Sequence, residues 1–238
     1  MLPFLSTLQT DLELVDSRIE REFKLKSGSI PDLVPLELGN PDYHLRPFLL
    51  LAAARSYGVA GEKGILVASV LQFIYLATKV HSIVQDDQEK SFSENFQFPV
   101  LVGDYLYGQF FLYLCKASAL EYLAPLAKVI CEIHEGGILR KQGVSQAEEL
   151  DIIAMEDASL YSAACGIGAG LGGAVPAEQE LFRQFGRDLG LGIAALNRRL
   201  DPEQVNKAFG KARESLALLP VAVPAFEDVL GYFRSKTL

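Results

Sequence analysis

The sequence has no excess of positive charge and few cysteines. Its formal net charge of −8 and isoelectric point of about 5.0 argue against nucleic acid as the main partner, because phosphate binding requires a basic face. The three cysteines, Cys115, Cys131 and Cys165, give neither a complete disulfide framework nor a zinc motif. Cys115 and Cys165 stand in apolar runs, which predicts buried thiols in a reducing cytoplasm.

The sequence also lacks a basic leader and a long uncharged apolar run. Residues 1–20 carry acidic side chains early and have no basic n-region, unlike a signal peptide. No uncharged apolar run reaches about 18 residues, so the sequence predicts no membrane span and a cytoplasmic location. The nearest candidate, residues 162–175, is short and rich in small residues, which is typical of a closely packed core helix.

The dominant hydrophobic period is helical. Apolar residues recur at intervals of three and four, and no alternating strand pattern occurs, so we predict an all-α, single-domain helical bundle over residues 1–238. Residues 28–42 are rich in proline and glycine and predict a long loop. The segment 100–119 is apolar nearly all round, which predicts a buried central helix or an interface helix. The predicted helices are 3–26, 47–57, 62–90, 100–119, 121–143, 146–174, 177–199, 202–218 and 224–235.

Several stretches resemble, in order, one family, the trans-type polyprenyl diphosphate synthases. They are LRPFLLLAAARSYG (45–58), QFIYLATKVH (72–81), VLVGDYLYG (100–108), ASLYSAACGIGAGLGG (158–173), FGRDLGLGIAALNRRLD (185–201) and ARESLALLP (212–220). The resemblance implies an all-helical dimer around a deep cavity, in which isopentenyl diphosphate is joined to an allylic diphosphate. It also implies two DDxxD motifs whose carboxylates hold magnesium against the leaving diphosphate.

By this resemblance, the first aspartate-rich motif directly follows His81. Residues 82–86 read Ser-Ile-Val-Gln-Asp, so only the last aspartate of the motif is retained. Ile83 offers no oxygen to a hard cation. The candidate residual metal ligands are Asp86, Asp87 and Glu89, and the alternative is that they form the solvated end of a helix.

The second motif falls on residues 197–201, which read Asn-Arg-Arg-Leu-Asp. Asp201 is retained as a further candidate metal ligand, whereas Arg198 would repel magnesium. Arg198 and Arg199, assisted by Arg46, are candidates for binding a diphosphate through guanidinium groups in place of the metal. The alternative is that the arginines form ion pairs with acids such as Asp201 or with a partner chain.

Positions that bind phosphate in the family have also changed. The Gly-Lys pair before Leu-Arg-Pro reads Asp42-Tyr43, and the histidine six positions before His81 is Tyr75. The Lys-Thr pair before Ala158 reads Glu156-Asp157, which reverses the charge. The chain between Asp201 and Ala212 is shorter than in the family, so the resemblance implies a bundle truncated after the second motif.

Other parts of the predicted site have a structural and a functional interpretation. By the resemblance, Ala77 and Thr78 lie at the floor of a pocket for the prenyl chain, and the alternative is an ordinary helix contact. His81 is predicted to be a hydrogen-bonded core histidine, and Asp104 is predicted to cap or pair within the scaffold.

The losses favour a non-catalytic homologue that acts as a subunit or regulator, as a homodimer or as a heterodimer with a catalytic polyprenyl synthase. The first alternative is an active prenyltransferase with rebuilt ligands. The second is a binding module for a prenyl chain or a prenyl diphosphate. No cofactor is expected under the preferred hypothesis, and magnesium is expected only if the active alternative holds.

Overall fold

The computed structural model describes residues 3–26, 28–34, 42–59, 61–83, 97–143 and 149–237. Its α-helices are α1 (Gln9–Phe23), α2 (Ile30–Leu33), α3 (Leu45–Ser56), α4 (Glu62–Ser82), α5 (Gln97–Lys116), α6 (Leu123–Gln142), α7 (Glu149–Ile153), α8 (Ser159–Leu171), α9 (Pro176–Asn197), α10 (Pro202–Ala217) and α11 (Pro224–Arg234). The fold is that of an all-α protein, as predicted.

Helix α4 is the central helix of the fold. Residues 65–77 are all buried, and the helix packs against α1, α3 and α5. By length and composition α4 could cross a membrane, but 78% of its most apolar stretch is buried inside the fold, which is typical of a core helix. This burial agrees with the expectation that the chain has no membrane span.

Helices α3, α8 and α9 approach one another closely through glycines. Gly168 of α8 faces the backbone carbonyl of Leu50 in α3, and Gly186 of α9 faces that of Tyr161 in α8. A Cβ at either position would collide with the neighbouring backbone, so only glycine permits these distances. The interpretation of residues 162–175 as a closely packed core helix is therefore confirmed as far as Leu171, where the helix ends, whereas Val175 is exposed.

Most predicted helix ends are confirmed within three residues. Pro176 and Pro202 begin α9 and α10, where a missing N–H costs nothing because that donor has no partner inside the helix. Gly58 has a φ of 80° and follows the last turn of α3 in the left-handed region, as expected for a helix end.

The chain from residue 3 to residue 34 is less regular than predicted. The predicted helix 3–26 begins with a 3-10 helix, Pro3–Leu8, and ends at Phe23. Strands Lys24–Leu25 and Gly28–Ser29 then pair as the antiparallel strands β1 and β2, although no strand was predicted. These two-residue strands do not change the fold class. The predicted loop 28–42 contains β2 and the single turn of α2, whose first turn holds Pro31.

Two long predicted helices end earlier or are interrupted. The predicted helix 62–90 ends at Ser82, and residues 84–96 lie outside the described part of the chain. The predicted helix 146–174 is divided into α7 and α8 by a π-helical segment, Ala154–Ala158. Such segments are most often found at functional sites, because the wider turn redirects side chains.

One side of α5 is apolar and exposed. Leu106 and Phe110 are buried against the core, whereas Leu101, Phe111 and Leu112 are exposed. We call these last three residues the α5 stripe. The prediction of a helix buried all round is thus wrong for this side, and the interface alternative remains. The predicted burial of Cys115 is also wrong, because this residue lies on the exposed side, whereas Cys165 is buried.

Candidate functional site

A cavity of about 540 Å³ opens beside the C-terminal end of α4, between α6, the π-helical segment and the end of α9. Tyr75, Leu160, Ile133 and Ile138 contribute apolar surface to its wall. Its charged lining side chains are the cations Arg46, Lys79, Arg140, Lys141 and Arg198 and the carboxylates Glu156 and Asp157. The cavity is therefore lined mainly by positive charge, although the chain as a whole is acidic.

Arg46 lies in the cavity wall and is only 2% exposed. Its Nη1 and Nη2 atoms each lie 3.1 Å from a carboxylate oxygen of Asp42. Its Cζ atom lies 4.3 Å from the ring centre of Tyr75 and 4.2 Å from that of Tyr161, so aromatic rings contact the guanidinium. Burial alone would lower the pKa of Arg46, but the Asp42 carboxylate raises it above the ordinary value.

Asp42 also accepts a hydrogen bond from the hydroxyl of Tyr161. Burial raises the pKa of this tyrosine well above its ordinary value, so the hydroxyl remains a donor. The predicted diphosphate-binding residue Arg46 is thus held by an internal carboxylate and two tyrosines. One of these, Tyr75, stands where the resemblance places a histidine.

Arg198 is tied to the two acids of the π-helical segment. Its Nη2 atom lies 2.8 Å from a carboxylate oxygen of Glu156 and 2.5 Å from one of Asp157. Arg140 of α6 contacts the same Glu156 at 2.8 Å and Glu149 of α7 at 2.9 Å. We call these five residues the Arg140–Arg198 network. It joins α6, α7, α9 and the π-helical segment at one side of the cavity.

The two arginines of the network are neutralised by its own carboxylates. Hydrogen bonds from Arg140 to Glu156 raise the pKa of this arginine, and Glu149 acts in the same direction against the effect of burial. With three carboxylates and two guanidinium groups, the network carries one net negative charge, so it offers no net positive charge to a ligand on this side of the cavity. Arg198 forms an ion pair, which was the stated alternative to diphosphate binding, and its partners are Glu156 and Asp157.

The other two candidates near the end of α9 have different positions. Arg199 is exposed and adopts a φ of 56°, which places it in the left-handed conformation that ends the helix. Asp201 caps α10, where its side chain accepts a hydrogen bond of 2.8 Å from the backbone N–H of Glu203. Neither lines the cavity.

At the first motif, Ser82 lines the cavity, and Ile83 follows as an exposed residue. The hydroxyl of Ser82 donates a hydrogen bond of 2.7 Å to the carbonyl of Lys79, which keeps it close to its own helix. The candidates Asp86, Asp87 and Glu89 lie outside the described residues, so the hypothesis of a residual metal site remains a prediction.

The two residues predicted for the chain pocket differ in position. Thr78 lines the cavity, whereas Ala77 is fully buried. Within the described part of α4, no residue before Tyr75 lines the cavity. Phe73 is fully buried against Tyr113, with ring centres 4.9 Å apart. The cavity therefore stays at the C-terminal end of α4.

Two neighbouring histidines line the cavity. The His81 and His134 rings lie 6.0 Å apart, and Tyr107 contacts both. Nε2 of His134 lies 2.8 Å from the Tyr107 hydroxyl, and His81 lies 3.4 Å from Asp104, as expected for a scaffold contact. Burial, together with the neighbouring His81, lowers the pKa of His134, so the neutral ring is favoured at neutral pH.

The comparisons with known proteins agree with this architecture. The sequence model described as Polyprenyl synthetase matches residues 40–214, well over half of the chain. The chain belongs to the polyprenyl synthetase family. The octaprenyl diphosphate synthase of Escherichia coli is 27% identical over 179 residues, which cover 70% of this chain and 55% of that protein. The chain thus spans about half the length of this curated relative.

Other polyprenyl synthetase relatives extend the comparison. Heptaprenyl diphosphate synthase component 2 of Geobacillus stearothermophilus is 26% identical over 219 residues, covering 87% of this chain and 68% of that protein. The solved decaprenyl diphosphate synthase of Rhodobacter capsulatus superposes with a TM-score of 0.82 at 21% identity, covering 98% of each chain. The superposition on the Rhodobacter capsulatus structure shows that this chain has the same fold.

Magnesium does not fit the described donors at the two polyprenyl synthetase motif positions. Ser82 and Ile83 stand at the first motif, and the Arg198 guanidinium occupies the second. Over residues 3–26, 28–34, 42–59, 61–83, 97–143 and 149–237, no group of three or more His, Cys, Asp or Glu side chains could hold a metal ion. Carboxylates paired with arginine are poor ligands for a hard cation, because the cation would have to displace the guanidinium.

Sequence reasoning missed several residues at this polyprenyl synthetase cavity, among them Lys79, Arg140 and His134, which line it, and Tyr161, which does not line it but contacts Arg46. The network could have been inferred from the charge pattern. The resemblance implies a basic side chain at positions 156–157 and an acidic one at position 198, and this sequence has the opposite charge at both places. Tyr161 and His134 gave no comparable signal, because single aromatic or histidine residues in apolar helices are usually core residues.

Proposed function

We propose that this chain is a non-catalytic polyprenyl synthetase homologue that acts as a subunit or regulator of isoprenoid chain elongation. The observation that supports this most is the contact of Arg198 with Glu156 and Asp157. By the resemblance, a metal-binding carboxylate is expected at position 198, which carries a guanidinium group. A Lys-Thr pair that contacts phosphate is expected at positions 156 and 157, which carry carboxylates. An internal ion pair thus stands in place of contacts to magnesium and diphosphate.

The chemistry of the family makes this exchange costly for catalysis. Departure of a diphosphate requires that its developing charge be neutralised, which magnesium and basic side chains achieve. Loss of one such preorganised contact reduces a rate by roughly 10²–10³. Here the changes affect both metal motifs and the phosphate positions around Arg46, so the combined loss should leave no useful turnover.

The direct test is a turnover assay on the purified chain with magnesium, an allylic diphosphate and radiolabelled isopentenyl diphosphate. We expect no elongated product above the background without protein, while an intact polyprenyl synthase assayed in parallel gives product. Elongation by the chain alone would overturn the proposal in favour of an active prenyltransferase, and loss of that activity in Asp86→Ala would assign the metal to the residual motif.

The α5 stripe supports a partner for this subunit. Leu101, Phe111 and Leu112 lie on one exposed side of a helix whose other side packs into the core. An apolar stripe of this kind is typical of an association surface rather than of a solvated helix. One relative is itself named as a component of a heptaprenyl diphosphate synthase. We propose that the stripe contacts a catalytic synthase or a second copy of this chain.

We predict that Leu112→Glu weakens this association about tenfold or more, because burying a carboxylate in an apolar contact is unfavourable. The measurement is co-purification with a polyprenyl synthase from the same cell, together with the mass in solution by light scattering. Leu218→Glu is the matched control, since Leu218, the residue that follows α10, is 65% exposed and Leu112 is 53% exposed. Equal association of both variants and the unmodified chain would show that the stripe is not the interface.

A catalytic partner would also show a functional effect. The proposed role predicts that the chain alters the length or rate of product formation by the synthase with which it co-purifies. If it neither associates with a synthase from its own cell nor alters product length, the role as subunit fails. The cytoplasmic location remains a prediction from the sequence.

A further inference from the structure

We propose that His81, Tyr107 and His134 form an acid-sensitive closure of the cavity wall, which holds α6 against α4 and α5 at neutral pH and releases it when both histidines carry a proton. We call these three residues the histidine closure. The inference goes beyond the proposed function, because it concerns a movement of the wall and applies whether or not the chain has a catalytic partner.

The histidine closure joins three helices. His81 lies in the last turn of α4, Tyr107 lies on α5 and His134 lies on α6. Nε2 of His134 lies 2.8 Å from the Tyr107 hydroxyl. The Tyr107 ring contacts both imidazole rings, whose centres are 6.0 Å apart. A hydrogen bond and a set of ring contacts therefore connect α6 to α4 and α5 at this point.

Helix α6 is lightly anchored in the fold. Of its 20 residues, all of which lie in the described part of the chain, just Leu126 and Gly136 are buried. The helix packs mainly against the π-helical segment and α8, not against α5. Ile133 and Ile138 of α6 line the cavity, so a displacement of α6 would open the cavity wall. Elements with few buried residues open at a low cost in free energy.

His81 is held against α5 and cannot move towards it. Its ring lies on the backbone of Gly103, where a Cβ would overlap it. Its Nε2 atom lies 3.3 Å from the carbonyl oxygen of Val100 and 3.4 Å from a carboxylate oxygen of Asp104. That carboxylate balances a proton on His81. Repulsion between two charged rings must therefore displace His134, and α6 with it.

Protonation also changes the hydrogen bond of His134. In the neutral ring Nε2 can accept the Tyr107 hydrogen, whereas both nitrogens of the charged ring are donors. Burial, with the Asp104 carboxylate acting in the same direction, raises the pKa of Tyr107, so its hydroxyl keeps its hydrogen. That hydrogen then loses its acceptor on α6, and the contact that joins α5 to α6 is weakened.

The other charged groups of the described cavity wall act on the same ring. Lys79 on α4 and Lys141 on α6 line the cavity and disfavour further positive charge. Glu156 and Asp157 of the π-helical segment would favour it, but their carboxylates are paired with the arginines of the Arg140–Arg198 network. The surroundings of His134 therefore resist its protonation as long as the wall is closed.

The direction of the pH response follows from these contacts. Burial and the neighbouring His81 lower the pKa of His134, and the ordinary value for histidine is about 6.5. A His134 released into water regains the ordinary value, so it binds a proton more readily than in the histidine closure. Opening is therefore favoured as the pH falls below about 6.5, and the wall is closed at higher pH.

Hydrogen–deuterium exchange of the full chain at about pH 7.5 and about pH 5.5, corrected for intrinsic exchange rates, tests the histidine closure. We expect the protection of the α6 amides to fall about threefold or more at the lower pH, while that of the α9 amides changes less than about twofold. Unchanged protection of α6 would overturn the inference. So would an equal loss in both helices, because it would indicate general acid unfolding.

His134→Gln removes the titrating ring but keeps a hydrogen-bond acceptor, so it should abolish the pH response of α6. His44→Gln is the matched control. It removes a histidine that is bound to Asp16 of α1 outside the cavity, and it should leave the response of α6 unchanged. The same response in His134→Gln as in the unmodified chain would show that His134 is not the switch.

His81→Gln provides a second test, which does not depend on exchange. In an NMR titration the midpoint of His134 should be higher in this variant than in the unmodified chain, because the neighbouring cation is removed. A midpoint that stays the same or falls would contradict the coupling of the two rings. None of these outcomes bears on the elongation assay, so failure of the histidine closure and failure of the proposed non-catalytic role are separate results.

Discussion

Arg46→Met is expected to lower the free energy of unfolding by about 3–5 kcal/mol, because it removes the guanidinium group paired with the partly buried Asp42 carboxylate. Methionine keeps much of the volume between the rings of Tyr75 and Tyr161, so the loss reports mainly on charge. The carboxylate would keep its hydrogen bond from the Tyr161 hydroxyl but lose two contacts of 3.1 Å to guanidinium nitrogens. Urea denaturation monitored by circular dichroism gives the measurement.

The double variant Arg46→Met with Asp42→Asn separates charge from packing. Asparagine keeps an acceptor for the Tyr161 hydroxyl but carries no charge. The free energy of unfolding of the double variant should therefore differ from that of the unmodified chain by no more than about 1–2 kcal/mol. If the double variant is as unstable as Arg46→Met alone, the contacts of the guanidinium with the two rings, rather than the ion pair with Asp42, stabilise this part of the fold.

The fold could be predicted largely from the sequence because its signals are local. Helical periodicity, proline at the first turn of α9 and α10, and glycine after α3 each act within a few residues. The predictions failed where an interaction beyond the local pattern decides the structure. Pairing of Lys24 with Ser29 ends α1, and the π-helical segment interrupts what reads as one helix. Which side of α5 faces the core likewise depends on its neighbours.

Part of the candidate site was predictable by position, because Arg46, Thr78 and Arg198 line the cavity, whereas Ala77, Arg199 and Asp201 do not. The resemblance identified Arg198, Glu156 and Asp157 as residues whose charge differs from that in the family, and all three line the cavity. It could not pair them, because they are more than forty residues apart and belong to different helices. Asp201 follows Arg198 closely in sequence and was the nearer choice of partner. The structure assigns that carboxylate to the start of α10 instead, where a free backbone N–H attracts it.

The resemblance implies other side chains at positions 156, 157 and 198, and the ion pairs among the side chains present explain how the fold accommodates them. Arg198 alone would have no carboxylate to neutralise its charge at this side of the cavity. Glu156 and Asp157 alone would repel each other. Together, Arg198, Glu156 and Asp157 neutralise one another's charge, and Arg140 and Glu149 extend the network. The packing of α9 against the π-helical segment is thereby stabilised by side chains of the chain itself, where the resemblance implies that bound magnesium and diphosphate connect the corresponding helices.

Arg198→Asp, which introduces the acidic side chain that the resemblance implies at this position, should lower the free energy of unfolding by about 2–4 kcal/mol. The Arg198 side chain is 31% exposed, so water screens part of the interaction and the value lies between those of surface and buried ion pairs. The introduced carboxylate would face Glu156 and Asp157, and of the two cations of the Arg140–Arg198 network only Arg140 would be left. Millimolar magnesium should raise the melting temperature of this variant and leave that of the unmodified chain unchanged, because only the variant gathers unpaired carboxylates.

Arg199→Asp is the control for this last prediction, since it makes the same change of charge at the next residue. Arg199 lies outside the cavity at a φ of 56°, a left-handed conformation that aspartate tolerates better than most residues. Its substitution should change the free energy of unfolding by less than about 0.5 kcal/mol and give no response to magnesium. Equal losses in the two variants would mean that net charge at the end of α9, rather than the contacts of Arg198 with Glu156 and Asp157, determines stability there.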